Sequence, residues 1–194
     1  LIAKGHRLRL SDLLTGMLMA SGNDAAYTVA VTTARAVYPD EYLTDIQAVE
    51  RFSVLMNDFA SKIGMQNSHF TTPEGWDDEN QYTTVRDLLT LSEYALSIPV
   101  IRDIVGTYQK YIVFVSGENV TWTNTNNILN PNSPYYIPYA SGMKTGTTAD
   151  AGNCHIGAYT INEKTYISVV VGCETNADRY NLTLKLISEL EELL

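Results

Sequence analysis

The order of helix and strand signals along the chain constrains its fold more than any other feature of the sequence. Apolar residues recur at helical spacing in the first half, for example from Asp12 to Ala20 and from Ala48 to Ile63. β-Branched and aromatic residues dominate after Thr107, and the segment 181–194 returns to helical spacing. Helices, then an antiparallel meander, then a helix predict an α+β fold. We expect one domain over 1–194, with a mainly helical part at 10–105 and a sheet part at 106–194.

Turn and capping residues divide the helical part. Ser11 and Asp12 are predicted to cap a first helix, and a turn at 21–23 separates it from a second. Thr84 is the predicted cap of a later helix, which Pro99 ends or redirects. The turn at 21–23 therefore lies between two helices.

Three runs in the sheet part, at 140–147, 153–161 and 165–173, have the composition of strands. If Glu163 and Lys164 form a two-residue turn, Cys154 faces Cys173 across the hairpin. Two buried thiols are the simpler interpretation of that pair, and a disulfide stays open as the alternative.

The closing helix has an apolar stripe. Leucines recur at helical spacing through 181–194. We expect four of them to pack on the sheet: Leu182, Leu186, Leu190 and Leu193.

Charge and composition argue against several classes of partner. The chain has 22 acidic and 13 basic residues and a net charge of −9, whereas nucleic acids and anionic membranes are bound through clustered Lys and Arg. The two cysteines and three histidines lack ligand spacing, so we expect neither a metal ion nor another cofactor. No apolar run approaches the ~18–20 residues that span a bilayer. Because the sequence starts without Met or a signal-peptide pattern, we expect a piece of a longer protein.

The stretch YASGMKTGTT, at 139–148, contains two catalytic motifs that share Lys144. Ser141 to Lys144 is an S-x-x-K, a nucleophile with its base, and Lys144 to Gly146 is a K-T-G. Residues three apart share a face of a helix but point to opposite faces of a strand. The glycines and threonines of this stretch make it a poor helix and a plausible strand. Ser141 is therefore not the partner of Lys144, which belongs to the K-T-G.

A second motif supports that choice. Ser21, Gly22 and Asn23 form an S-x-N at the predicted turn between helices. By itself this motif is explained by helix ends, with Ser21 closing one helix and Asn23 capping the next. An S-x-N between helices, followed by a K-T-G on a strand, resembles the penicillin-binding proteins and β-lactamases.

Longer blocks resemble one family within this group. They are DLLTGMLMASGNDAA, MNDFASKIGMQNSHF, QYTTVRDLLTLSEYAL, NTNNIL, GMKTGTTADAGNC and ISVVVGCETNADR. Together they are similar to the low-molecular-mass serine D-Ala-D-Ala carboxypeptidases, from about Leu10 to the C-terminus. The resemblance implies a β-lactamase/transpeptidase-like fold. It also implies a penicillin-sensitive enzyme outside the cytoplasmic membrane, which removes the terminal D-alanine from peptidoglycan stem peptides through an acyl-serine.

The resemblance also assigns roles around the S-x-N. Ser21 resembles the serine that relays protons, and Asn23 resembles the amide that holds the acyl side chain of the substrate. Lys144 resembles the lysine of the proton network. These three residues are the implied catalytic set.

The residues after Lys144 resemble a substrate-binding strand. Thr145 is implied to bind the terminal carboxylate of the substrate, and Gly146 lets the ligand backbone approach. The backbone N–H of Thr147 is implied as an oxyanion donor, and Thr148 as a further ligand of the carboxylate.

One part of the family's machinery is absent from the printed sequence. The family's nucleophilic serine and base lysine lie upstream of the S-x-N, and no S-x-x-K precedes Ser21 here. We therefore expect the 194-residue chain to be inactive by itself, although the parent protein is an enzyme. Because the absence of a central helix would uncover apolar surface, we expect a homodimer of the fragment or a rearranged core. In the loop 66–82, the family often has His where this chain has Glu74.

Two alternatives stay open. A β-lactamase is disfavoured because S-G-N replaces the usual S-D-N and no E-x-x-L-N supplies a deacylating base. A non-catalytic module that binds cell-wall peptides would keep the fold without the chemistry.

Overall fold

The computed structural model describes residues 2–194 and has the predicted α+β architecture. Five helices with loops between them form the described part of the chain up to residue 105, and strands and a closing helix follow from residue 109. The elements are α1 (Leu10–Met19), α2 (Asn23–Val37), α3 (Asp45–Ile63), α4 (Val85–Ser97), α5 (Pro99–Val105), β1 (Gln109–Val113), β2 (Asn119–Thr123), β3 (Ala140–Thr148), β4 (Gly152–Ile161), β5 (Lys164–Cys173) and α6 (Asn176–Leu193). Within the described residues, no helix combines the length and hydrophobicity that a membrane span requires.

Capping residues and proline set the ends of α4 and α5 as the sequence predicts, whereas the start of α1 differs from the prediction. Thr84 caps α4 as predicted, and Pro99 starts the short α5 immediately after it. The predicted cap of α1 at Ser11 and Asp12 is wrong, because α1 already begins at Leu10 and has no side-chain cap. Asp12 lies in its first turn, where a carboxylate is favoured by the helix dipole.

β3, β4 and β5 form an antiparallel sheet in that order, while β1 and β2 pair in a separate ribbon. The β4–β5 hairpin turns at Asn162 and Glu163, which have φ angles of 49° and 63°. The predicted turn at Glu163 and Lys164 is therefore wrong by one residue. Asn adopts the left-handed conformation more readily than most residues, which favours the earlier turn.

The shifted turn changes the partner of Cys173. Cys173 faces Asn153, and the register slips before His155, which faces Val170. Cys154 is thus not the cross-strand partner of Cys173, and the predicted pairing is wrong. Both thiols are free and half-buried.

Helices cover both faces of the three-stranded sheet. On one face, Val105 of α5 packs with Met143 and Ala158. On the other face, Tyr159 packs with Ile187 of α6. β3 therefore runs between two layers, and its two faces meet different surroundings.

The buried face of α6 differs from the prediction. The helix begins at Asn176, earlier than expected, after Thr175 and Asp178 form a capping box. Its buried residues are Arg179, Tyr180, Thr183 and Ile187. Of the four predicted leucines, only Leu190 packs on the core, and Leu182, Leu186 and Leu193 are exposed by 43%, 38% and 83%. Polar groups that support β3 occupy the face that the leucines were expected to fill.

Candidate active site

The turn between α1 and α2 brings Ser21 to strand β3. Ser21 is exposed and has a φ of 55°, and the following Gly22 N–H donates to the Gly16 carbonyl at 3.2 Å. Lys144 Nζ donates to Ser21 Oγ at 2.8 Å and to the Thr145 carbonyl at 2.8 Å. Two motifs that are 123 residues apart in sequence thus meet through one hydrogen bond.

Ser141 takes no part in this contact. Its hydroxyl lies 3.5 Å from Thr160 Oγ1, near the start of β3 and before the K-T-G. Within the described residues, the side-chain hydrogen bonds of Lys144 go to Ser21 and to Thr145. The geometry agrees with the assignment of Lys144 to the K-T-G.

Lys144 has an unusually acidic ammonium group. Burial, and secondarily the Arg179 guanidinium, lowers the pKa of Lys144 to about 8. A substantial fraction of the amine is therefore neutral near that pH. A neutral amine at 2.8 Å from a hydroxyl is positioned to accept its proton.

The other predicted residues lie around this pair. Asn23 is the first residue of α2, and its exposed amide makes no hydrogen bond within the described residues. Gly146 and Thr147 are exposed, whereas the Thr148 hydroxyl accepts the Ala151 N–H at 3.1 Å and closes the β3–β4 turn. Asn23, in the S-x-N, and Thr147, directly after the K-T-G, thus both face solvent on either side of the Lys144–Ser21 contact.

The Thr145 side chain is paired with a residue that the sequence reasoning did not single out. Thr145 is only 8% exposed, and its hydroxyl is 2.6 Å from the exposed hydroxyl of Thr125. The Thr125 N–H donates to the Met19 carbonyl at 3.0 Å, which ties this loop to the end of α1. Two hydroxyls that share one hydrogen bond keep one O–H to donate elsewhere. Thr125 and Thr145 together can therefore donate to an anionic ligand.

Arg179 is the main residue that sequence reasoning missed. It is buried at the start of α6, and its Nη1 donates to the Gly146 carbonyl at 3.0 Å and to Thr147 Oγ1 at 3.0 Å. Its Nη2 donates to Asn176 Oδ1. No carboxylate within the described residues forms an ion pair with Arg179. A buried cation without a carboxylate favours binding of an anion beside Thr147.

A buried histidine lies beside the K-T-G strand, between the sheet and α6. His155 faces Thr145 across β3 and β4, and it is fully buried. Its Nδ1 lies 2.9 Å from Thr183 Oγ1 and its Nε2 lies 3.0 Å from Asn126 Oδ1. Burial, and secondarily Arg179, lowers the pKa of His155 to about 3. The ring is therefore neutral at physiological pH.

A serine and a lysine that link an S-x-N turn to a K-T-G strand, in an α+β fold, define the class of penicillin-recognising proteins. The chain belongs to the D-alanyl-D-alanine carboxypeptidase family, whose model matches residues 1–175. The carboxypeptidase DacC of Escherichia coli is 31% identical over 193 residues, and the match covers 95% of this chain. A carboxypeptidase of Streptomyces is 30% identical over 192 residues.

Solved structures agree with this assignment. A mutant Streptomyces DD-transpeptidase superposes with a TM-score of 0.85 at 29% identity and covers 97% of this chain. Penicillin-binding protein D2 of Listeria monocytogenes, in an ampicillin-bound form, has a TM-score of 0.72 at 28% identity, and the match covers 92% of this chain.

The chain spans only part of these proteins. It covers 41% of the length of the Escherichia coli protein and 61% of that of the Streptomyces carboxypeptidase. It covers 70% and 66% of the two solved chains.

Proposed function

We propose that this chain forms one wall of the active site of a serine-type D-Ala-D-Ala carboxypeptidase. The parent enzyme removes the terminal D-alanine from peptidoglycan stem peptides through an acyl-enzyme, is acylated by penicillins and works outside the cytoplasmic membrane. The hydrogen bond between Lys144 Nζ and Ser21 Oγ, at 2.8 Å, is the observation that carries this proposal. It joins the two motifs that the chemistry requires to meet.

The substrate's terminal carboxylate is placed against the K-T-G strand. Thr145, with Thr125, supplies a hydroxyl donor, and Thr147 carries a second hydroxyl that Arg179 contacts at 3.0 Å. The positive charges of Arg179 and Lys144 favour an anion at this position. Thr148 lies at the edge of this carboxylate site.

The scissile peptide bond lies between the two motifs. The free amide of Asn23 holds the acyl side, and the Thr147 N–H donates to the oxyanion, an interaction whose loss typically costs about 10²–10³ in rate. Ser21 passes a proton between Lys144 and the leaving amine. Charge and hydrogen bonds are thus supplied on both sides of the reacting carbonyl.

Binding of a peptide that ends in D-Ala-D-Ala tests this proposal without requiring turnover. We expect an NMR titration to shift the amide signals of Ser21, Asn23 and the K-T-G strand. The same peptide with an amidated C-terminus is the control, and it should bind at least about tenfold more weakly because a charged hydrogen-bonded contact is lost. Equal affinity for both peptides, or shifts elsewhere on the surface, would contradict the proposal.

We also propose that the 194-residue chain by itself does not turn over such peptides or form a penicilloyl ester. Its printed sequence has one S-x-x-K, at Ser141, whose hydroxyl contacts Thr160, whereas Lys144 Nζ contacts Ser21 and Thr145. Intact mass spectrometry after incubation with excess penicillin is expected to show unmodified protein, and a stable penicilloyl adduct would refute this.

Two further expectations accompany the proposal. A longer chain that includes an upstream S-x-x-K should form the penicilloyl adduct, whereas a non-catalytic peptide-binding module would bind the peptide and never become acylated. The homodimer of the fragment stays a prediction, which size-exclusion chromatography tests.

A further inference from the structure

We propose that Ser21 and Lys144 form a serine–lysine acylation dyad, through which Ser21 accepts the acyl group of small activated carboxylic esters. This activity differs from the proton relay assigned to Ser21 in the carboxypeptidase reaction. It requires only residues that this chain contains.

The geometry of the pair fits a nucleophile and its base. Ser21 Oγ and Lys144 Nζ are 2.8 Å apart, within the distance needed for direct proton transfer. Ser21 is exposed, so that an ester carbonyl can approach its hydroxyl, whereas Lys144 is half-buried behind it. The reactive oxygen therefore faces solvent and the base faces the protein.

The backbone of Ser21 is also unusual. Its φ of 55° lies in the left-handed region, which non-glycine residues rarely occupy. Sharp turns with strained backbone present the nucleophilic serine in hydrolases with a nucleophile elbow. Here the turn between α1 and α2 presents Ser21 in a comparable way.

The surroundings of Lys144 favour its neutral form. Burial and the Arg179 guanidinium lower the pKa of Lys144 to about 8, and desolvation beside another cation is a known way to activate a lysine. The ammonium is held by the Ser21 hydroxyl and the Thr145 carbonyl, and no carboxylate within the described residues pairs with it. Lys144 therefore gives up its proton at a mildly alkaline pH and becomes a base.

The acylation step balances with these groups alone. Neutral Lys144 takes the proton of the Ser21 hydroxyl while Oγ forms a bond to the ester carbonyl carbon. The tetrahedral intermediate collapses, the bond from carbon to the leaving aryl oxygen breaks, and the aryl alcohol leaves as its anion. The Lys144 ammonium then returns its proton to solvent, and the product is an O-acyl Ser21.

Small esters suit this site better than penicillins. A small planar ester presents its carbonyl to any accessible nucleophile. Under the proposed function, the site holds both the carboxylate and the acyl side chain of a penicillin, so that its carbonyl position is fixed by those contacts rather than by Ser21. Failure of the dyad to react would leave the peptide-binding test of the carboxypeptidase proposal unaffected.

The experiment uses the 194-residue chain and p-nitrophenyl acetate. We expect a stoichiometric burst of nitrophenolate, a mass increase of one acetyl group and an acetyl ester on Ser21 by peptide mapping. Hydroxylamine should remove this label, because it cleaves esters but not amides. The labelling rate should rise with pH through an inflection near 8, the pKa of Lys144.

Variants distinguish acetylation of Ser21 by the dyad from background acetylation elsewhere on the chain. Lys144→Arg keeps the charge but provides no base, and it should slow labelling of Ser21 by about 10²-fold or more. Ser21→Ala should abolish the hydroxylamine-sensitive label, and Ser21→Cys, which keeps the size of the side chain, should give a thioester at the same position. Ser141→Ala is the matched control, and its Ser21 should be labelled at the same rate as in the unsubstituted chain.

Three results would overturn the dyad. They are a label confined to surface lysines or to Lys144 with none on Ser21, an unchanged rate of Ser21 labelling in Lys144→Arg, and a pH profile without the inflection. Circular dichroism of each variant establishes that the compared chains are folded.

Discussion

The exposed edge of strand β3, called the front, and the buried polar layer between the sheet and α6, called the back, use polar side chains in opposite ways. At the front, Ser21, Asn23 and Thr147 are exposed. At the back, His155 is fully buried, and both ring nitrogens have partners. The back therefore fixes the position of the strand, and the front leaves donors and acceptors for a ligand.

This contrast predicts which substitutions should change stability and which should change binding. Changes at the back are expected to reduce the free energy of unfolding, since buried polar groups lose their partners. Changes at the front are expected to alter binding and chemistry with little effect on stability.

The largest expected effect is that of His155→Leu. This change leaves Asn126 Oδ1 and Thr183 Oγ1 without their ring partners in a buried position. We expect the free energy of unfolding to fall by about 2–4 kcal/mol. Chemical denaturation measures it, with His69→Leu as a control on a half-buried histidine. A loss below that of the control would mean that the back of the strand is not held by this network.

The pH dependence of stability should report the same histidine. The pKa of His155 is lowered to about 3, so between that value and the ordinary value of about 6.5 the unfolded chain binds a proton that the folded chain does not. The free energy of unfolding should therefore fall as the pH is lowered from about 6.5 towards 3, by at most about 1.4 kcal/mol per pH unit from this residue.

The contribution of His155 is isolated by comparison with His155→Leu over the same pH range. The stability difference between the two chains should narrow as the pH falls. Parallel curves would show that His155 titrates normally in the folded protein.

Sequence patterns predicted the elements better than their details. The three strand-like runs locate β3 to β5 within a residue or two, because strand composition is a local property. The hairpin turn is missed by one residue, because both candidate dipeptides are polar and only the left-handed backbone of Asn162 separates them. That single residue was enough to misplace Cys154 opposite Cys173.

The residues of the candidate site also fall into those that the sequence predicted and those that it did not. Ser21 and Lys144 could be predicted because both lie in short motifs whose chemistry requires them to meet. Arg179 and Thr125 lie in the blocks ISVVVGCETNADR and NTNNIL, but a single Arg at a helix start and a single Thr in a loop form no motif that assigns them a role. Their roles depend on the packing of α6 and of the loop after β2 against the K-T-G strand.

Arg179 lies between the two regions, and its substitution should have an intermediate effect. Arg179→Met removes the positive charge beside Thr147 and should weaken binding of the D-Ala-D-Ala peptide by about tenfold or more. Affinity for the amidated peptide should change little. Arg179→Lys should recover part of the affinity if charge matters, and no recovery would assign Arg179 to structural support alone.

The smallest expected effect is that of Ser141→Ala. The hydroxyl makes a long contact, 3.5 Å from Thr160, and is not among the hydrogen-bond partners of Lys144 Nζ in the described residues. We expect a change in unfolding free energy within about 0.5 kcal/mol and unchanged peptide affinity. A large loss of peptide binding would revive the S-x-x-K interpretation of this stretch.

The pairing of Lys144 with Ser21, rather than with Ser141, is tested most directly by an NMR titration of Lys144 Nζ. The expected pKa of Lys144 is about 8 in the unsubstituted chain. It should fall further in Ser21→Ala, because the ammonium loses a hydrogen bond to the Ser21 hydroxyl. Ser141→Ala should leave it unchanged. A pKa near the ordinary lysine value of about 10.4, or one that responds to Ser141 rather than Ser21, would contradict the pairing of Lys144 with the S-x-N turn.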